Sequence, residues 1–187
     1  MMPVVRLNDA TFEHLSTLRT WFGTRTPGET IDRVVREAME ALGLERNDEP
    51  QGESITTSDG AIEFETAPGL TFTKPLSASI NGKAIHSPRW SSLLLAMITQ
   101  LKSKGLKGER LVRELQVPAK AERYEEEGFK YHADLGISVQ GQSASDAWKE
   151  IDRIAKKWTI PVVIEFWWRQ NEKAQFPGKT GRLRSGH

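Results

Sequence analysis

Two amphipathic helical patterns joined by a tight turn, with a short strand pattern before them, occupy residues 3–44 of this 187-residue chain. Each helical pattern is apolar on one side only. A unit of about 40 residues buries too little apolar surface to be stable alone, and it usually needs disulfides, a metal or oligomerisation. The chain has no cysteine, and this stretch has no cluster of metal-ligand residues. We therefore predict that residues 3–44 fold by forming a homodimer.

The first helix is predicted from apolar residues that recur every three to four positions, namely Phe12, Leu15, Leu18 and Trp21 or Phe22. Asn8 or Asp9 can cap its start with a side-chain oxygen. Gly23 can end it, because glycine adopts a positive φ without a steric penalty.

The second helix is predicted to begin at Thr26-Pro27-Gly28-Glu29. This order places a capping threonine three residues before a glutamate, with proline at the first helical position. We expect Gly43 to end the helix. The apolar stripe between these points consists of Ile31, Val34, Val35, Ala38 and Leu42.

Residues 4–8 have the alternation of a strand that is buried on one side. Val5 and Leu7 fall on one face, and Val4, Arg6 and Asn8 fall on the other. The apolar face would join the core, which leaves Arg6 as the one long hydrogen-bond donor that points outward.

The order, lengths and phase of these elements resemble the ribbon-helix-helix family of DNA-binding proteins, whose known members include the MetJ and Arc repressors. The resemblance covers about the first quarter of the chain. It rests on the strand at residues 4–7, the stripe of the first helix, the turn at Gly23 and the start of the second helix. It implies a homodimer in which two strands pair antiparallel over four interlocked helices, and a two-stranded ribbon that enters the DNA major groove.

The resemblance also implies DNA-contacting residues. The candidates for base contacts are Val4, Arg6 and Asn8. Arg6 would bond to guanine and Val4 would pack on a thymine methyl group, whereas Asn8 would either read adenine or only cap the first helix. The candidates for a phosphate contact, at the start of the second helix, are Arg25, Thr26 and Gly28. Free N–H groups and the helix dipole favour an anion at that position.

The charge distribution complicates a DNA-binding function, although the whole chain has a net charge of +1. Residues 1–50 contain six arginines against nine acidic residues, and residues 51–69 contain four acidic residues and no basic one. Residues 70–133 have a net charge of +5, and residues 134–187 have a net charge of +3. We therefore expect DNA attraction from the C-terminal part or from several cooperating dimers. The alternative is a helical hairpin that dimerises without touching DNA.

The remaining chain is predicted to form an acidic polar linker at residues 45–69, an α+β domain at residues 70–170 with a mixed or antiparallel sheet, and a flexible basic tail at residues 171–187. Asn81-Gly82 is a strong hairpin signal. Helices are expected from Ser87, across 109–115 and after Ser143; strands are expected within 61–65, 129–140 and 160–168. Trp148 and Trp158 are predicted to be core residues.

Other signals are weaker. His132 and Asp134 are spaced like two metal ligands on one strand face, but no further ligand has matching spacing. Lys102, Lys104, Lys107, Arg110 and Arg113 form a basic stretch, which fits either a solvated helix end or a second DNA surface. We find no catalytic motif and predict no enzymatic activity, cofactor or metal.

The sequence thus predicts a cytoplasmic, dimeric, sequence-specific DNA-binding protein that represses transcription, with double-stranded DNA as its partner. No apolar run approaches the length needed to span a bilayer, so no membrane contact is expected. The alternative is that the C-terminal domain binds a protein or small-molecule effector and the N-terminal unit only dimerises it.

Overall fold

A computed structural model describes residues 6–42, 44 and 60–187 of the chain. The chain divides into two units, Met1–Met39 and Glu40–His187. The boundary falls near the end of the second helix.

The first unit contains the two predicted helices, α1 (Asp9–Phe22) and α2 (Pro27–Leu42). The last three residues of α2, from Glu40 onward, belong to the second unit. Asn8 caps α1, since its Oδ1 accepts a hydrogen bond from the Thr11 N–H at 2.7 Å. Gly23 ends α1 with a φ of 65°, and its N–H bonds back to the Thr20 carbonyl. The predictions of both helices are confirmed; Gly43 lies outside the described residues.

The predicted strand at residues 4–8 is only partly described. Val4 and Val5 lie outside the described residues, and Arg6, Leu7 and Asn8 are not part of a strand. A ribbon that forms between two chains gives each strand its hydrogen-bond partner only in the dimer.

The second unit is built around a five-stranded mixed sheet. Its strands are β1 (Ile62–Phe64), β2 (Thr73–Ile80), β3 (Lys83–Ile85), β7 (Val162–Trp168) and β8 (Thr180–Ser185), in the order β1-β8-β7-β2-β3. Among the described strands, only β1 and β8 pair in parallel. Asn81 and Gly82 both have positive φ values, as the two-residue turn between β2 and β3 requires.

The described part of this unit also contains three helices and a second sheet. The helices are α3 (Trp90–Ser103), α4 (Gly108–Glu114) and α5 (Ala144–Trp158). The antiparallel sheet contains β4 (Ala119–Lys120), β5 (Phe129–His132) and β6 (Ile137–Gln140), in the order β4-β6-β5. The α+β prediction is therefore confirmed.

The core lies where α3 and α5 pack against each other and against the large sheet. The β7 side chains alternate between buried and half-buried, with Trp168 fully buried and Trp167 half-buried. Trp148 belongs to this core, whereas Trp158 is half-buried at its edge and donates its N–H to Glu114.

The prediction of a flexible tail at residues 171–187 is wrong, because β8 lies inside the large sheet between β1 and β7. Its glycine and arginine content is typical of a tail, but the residues alternate. Gly181, Leu183 and Ser185 are buried, while Arg182 and Arg184 point to the other face. The pairing of β8 with β1 and β7 extends the domain beyond the predicted limits of 70 and 170.

The outward face of β8 is neutralised by acidic residues of neighbouring strands. The Arg182 guanidinium bonds to Glu165 at 2.9 Å and to Glu63 at 2.6 Å. The hydrogen bond from Arg182 lowers the pKa of Glu165, and a hydrogen bond from Ser77 acts in the same direction against partial burial. Arg184 also pairs with Glu63 at 3.3 Å, and these ion pairs explain why β8 tolerates two arginines in the middle of a sheet.

Gly181 has a packing role that can be tested. A Cβ at this position would lie 2.6 Å from the Phe166 ring and 3.0 Å from the rings of Phe64 and Trp168. We expect Gly181→Ala to lower the free energy of unfolding by about 1–3 kcal/mol, because over-packed aromatic rings must move apart. Urea denaturation followed by tryptophan fluorescence measures this change. Gly60→Ala, where a Cβ meets no atom within 4 Å, is the control; equal stability of the two variants would contradict the packing role.

Candidate nucleic-acid interface

The N-terminal helices leave most of their apolar side chains in solvent. In the described part of the first unit only Leu15 and Thr30 are buried. The large apolar residues that remain exposed there are Leu7, Phe12, Leu18, Trp21, Ile31, Val34 and Val35. Trp21 is 85% exposed. Thus the predicted helical stripes exist, but they do not bury one another within a single chain.

The turn between α1 and α2 is fixed by a group of threonine hydroxyls. Thr30 is fully buried, and its Oγ1 lies 2.6 Å from Thr24 Oγ1 and 3.0 Å from the Thr26 carbonyl oxygen. Buried hydroxyls are stable only when they are hydrogen-bonded. This cluster therefore sets the angle at which the chain enters α2.

The start of α2 is capped by Thr26 and Glu29. The Glu29 N–H donates to Thr26 Oγ1 at 3.2 Å, as the predicted capping box requires. The Glu29 carboxylate, however, accepts the N–H of Arg25 at 2.8 Å, one residue before the position expected in a capping box. Glu29 thus brings a negative charge to the positive end of the helix dipole.

The three candidate phosphate ligands lie together at this turn. Arg25, Thr26 and Gly28 are all exposed. Among the described residues, the N–H groups of Thr26 and Gly28 and the Arg25 side chain have no hydrogen-bond partner. These groups can donate hydrogen bonds to a phosphate oxygen, although the negative charge of the Glu29 carboxylate would oppose phosphate binding.

The three candidate base contacts differ in their availability. Arg6 is exposed and makes no hydrogen bond or ion pair with any described residue. The Oδ1 of Asn8 is engaged in the α1 cap, so bidentate adenine recognition would compete with that bond. Val4 lies outside the described residues.

The acidic residues of the N-terminal part are unevenly distributed along the sequence. Residues 6–42 contain five arginines and six acidic residues, and the other acidic residues up to position 50 are Glu45, Asp48 and Glu49. The helical unit itself is therefore nearly neutral, and most of the opposing charge belongs to the segment that follows it.

The second unit has a cavity of about 330 Å³ between the segment after β1, α5 and β8. Trp148, Leu70 and Leu183 form its apolar side, and Lys149 and Arg184 are among its charged residues. Sequence reasoning missed this cavity, because its lining comes from three segments far apart in the chain and no local motif marks it.

His132 and Asp134 do not form a metal site with other residues. His132 is half-buried; burial and the charge of Lys130 lower its pKa against the opposing effect of Asp134. Within residues 6–42, 44 and 60–187, no group of three or more histidine and acidic side chains could hold a metal ion.

Comparison with known proteins does not identify the chain: no protein-family model, curated protein or solved structure matches it. No helix in the described part of the chain has the length and apolar character needed to cross a membrane.

The threonine cluster at the α1–α2 turn can be tested by removing one hydroxyl. Thr30→Val keeps the shape of the side chain but removes two hydrogen bonds, and we expect it to destabilise the helical unit by about 1–2 kcal/mol. Hydrogen exchange of peptides from residues 9–42 in the full chain measures this destabilisation. Thr17→Val, on the exposed face of α1, should leave exchange nearly unchanged, and a similar effect of both variants would contradict the role of Thr30.

Proposed function

We propose that this protein is a homodimeric, sequence-specific DNA-binding protein that regulates transcription through its N-terminal unit. The observation that carries the proposal is the exposed apolar side of α2, formed by Ile31, Val34 and Val35. It occurs on a helical pair with the element lengths and turn typical of the ribbon-helix-helix family.

A second copy of the same unit is the partner that fits this surface. Closed homodimers with a twofold axis are the commonest oligomers, and their interface pairs the same patch of both chains. Two such units would bury the stripes of α1 and α2 against each other. The same association would give the segment before Asn8 a strand partner.

Arg6 is the central base-reading residue of the proposal. It lies three positions before the first residue of α1, and its exposed guanidinium makes no hydrogen bond or ion pair with a described residue. A guanidinium that bonds to guanine O6 and N7 contributes about 1–3 kcal/mol of discrimination against other bases. Val4 would add an apolar contact to thymine. Asn8 would serve the cap, which is the interaction it already makes.

Arg25, Thr26 and Gly28 would hold a backbone phosphate and thereby set the position of the ribbon in the groove. Phosphate contacts orient a protein on DNA, whereas base contacts select the sequence. Repression would follow where the bound site overlaps a promoter.

The 330 Å³ cavity supports the alternative in which the second unit binds an effector and the N-terminal unit only dimerises it.

Arg6→Ala tests the proposal in the full chain. Wild-type protein should enrich a defined sequence from a pool of random duplexes, and Arg6→Ala should weaken binding to that sequence by about 5- to 150-fold for each guanine that Arg6 binds. Binding to unrelated DNA should change little, because it depends on phosphate contacts.

Arg36→Ala is the matched control, since Arg36 is also exposed but lies in the middle of α2. It should retain the affinity of the wild type for the enriched sequence. Failure of the wild type to enrich any sequence would contradict the regulator function and favour the effector-binding alternative. Equal affinities of Arg6→Ala and Arg36→Ala would remove Arg6 from base recognition.

A further inference from the structure

The connection between α3 and α4 has a concentrated positive charge on its surface. Lys104, Lys107, Arg110 and Arg113 are all exposed, and we call these four residues the α3–α4 basic surface. None of their side chains makes a hydrogen bond or ion pair with a described residue. Glu109 is the one acidic residue between positions 102 and 113.

Glu114, the next acidic residue along the sequence, does not neutralise this surface. Glu114 forms an ion pair with Lys157 at 2.8 Å and accepts a hydrogen bond from the Trp158 N–H at 3.0 Å. Burial acts to raise the pKa of Glu114, but the hydrogen bonds from Lys157 and Trp158 outweigh it, and the pKa is lowered. Its carboxylate is therefore charged and already engaged by α5.

The backbone that presents the four cations is anchored on both sides. Leu101, near the end of α3, and Leu111, in the middle of α4, are fully buried, and Leu106 packs against the same core. Arg110 and Arg113 lie three positions apart on α4, so their side chains project from the same side of the helix. Like charges held together in this way repel each other, and a bound polyanion would relieve the repulsion.

The chemistry of the surface fits nucleic-acid phosphates better than a protein partner. Protein interfaces are depleted in lysine although enriched in arginine, and they depend on buried aromatic or apolar anchors. The large exposed apolar residues of the described chain all lie at positions 7–42 and at Ile62, so none belongs to this surface. Lysine and arginine without apolar anchors are typical of contacts to the DNA backbone.

We propose that the α3–α4 basic surface binds the phosphate backbone of the duplex DNA that the N-terminal unit reads. This inference rests on the proposed function and completes it, because residues 6–42 contain no excess of positive charge. The N-terminal unit would select the sequence, and the second unit would supply salt-dependent affinity that does not depend on sequence.

The test compares a fourfold variant with a control of equal charge. In the full chain, Lys104, Lys107, Arg110 and Arg113 are changed to Gln. The control changes four other exposed cations of the second unit to Gln: Lys83, Arg123, Lys130 and Lys179. Affinity for the enriched duplex and for an unrelated duplex is measured between about 50 and 300 mM salt. Circular dichroism and thermal unfolding verify that each variant is folded.

The fourfold variant should weaken binding to both duplexes by a similar factor, roughly 10- to 1,000-fold near 150 mM salt, and should reduce the salt slope by about 0.9 for each phosphate that it no longer neutralises. The double variant Lys107→Gln with Arg110→Gln should give about half of that slope change. The control variant should behave as the wild type.

Three outcomes would overturn the inference. If the wild type, the fourfold variant and the control variant all bind DNA with the same salt dependence, the α3–α4 basic surface does not contact DNA. The proposed regulator function would then be retained. If the wild type binds neither duplex, both the surface and the proposed function are wrong. A fourfold variant that fails to bind the enriched duplex but still binds the unrelated one would also contradict a sequence-independent phosphate contact.

Discussion

The structure depends first on an apolar surface that a single chain leaves open. Ile31, Val34 and Val35 form one side of α2, and all three remain exposed. At about 25 cal/mol for each Å² removed from water, such a surface is a strong driving force for association. The α1–α2 turn holds the two helices in a fixed relation through Thr30, so the open surface is preorganised rather than created by a partner. Dimerisation and DNA recognition in the N-terminal unit, as we propose them, both follow from this arrangement.

The second unit is complete in a way that the first is not. Its sheet contains β8 between β1 and β7, where Gly181 gives room to Phe166 and Arg182 is neutralised by Glu165. Several of its charged side chains form ion pairs, such as Glu114 with Lys157, whereas the four cations of the α3–α4 basic surface have no partner among the described residues. This contrast separates cations that stabilise the fold from cations available to a partner. In our proposal the two units thus combine a sequence-selective surface with a source of electrostatic affinity.

Local patterns were sufficient to predict the helices and the hairpin, because their signals lie within a few residues. Asn8, Gly23 and the Asn81-Gly82 turn were each recognisable from conformational preference alone. The strand β8 was not, since glycine and arginine there obtain their partners from Phe166 and Glu165, which are distant in sequence. The cavity beside Trp148 was missed for the same reason. The roles of Arg6 and Val4 stay predictions, because they depend on a strand that a second chain would complete.

The oligomeric state of the full chain tests the central claim most directly. Sedimentation equilibrium should give twice the mass of one chain for the wild type, whereas Val35→Glu should shift the protein to monomers by placing a charge in the apolar surface. Thr17→Glu adds the same charge to an exposed position of α1 outside its apolar stripe and should leave the dimer intact. A monomeric wild type, or a Val35→Glu protein as dimeric as the wild type, would contradict the account.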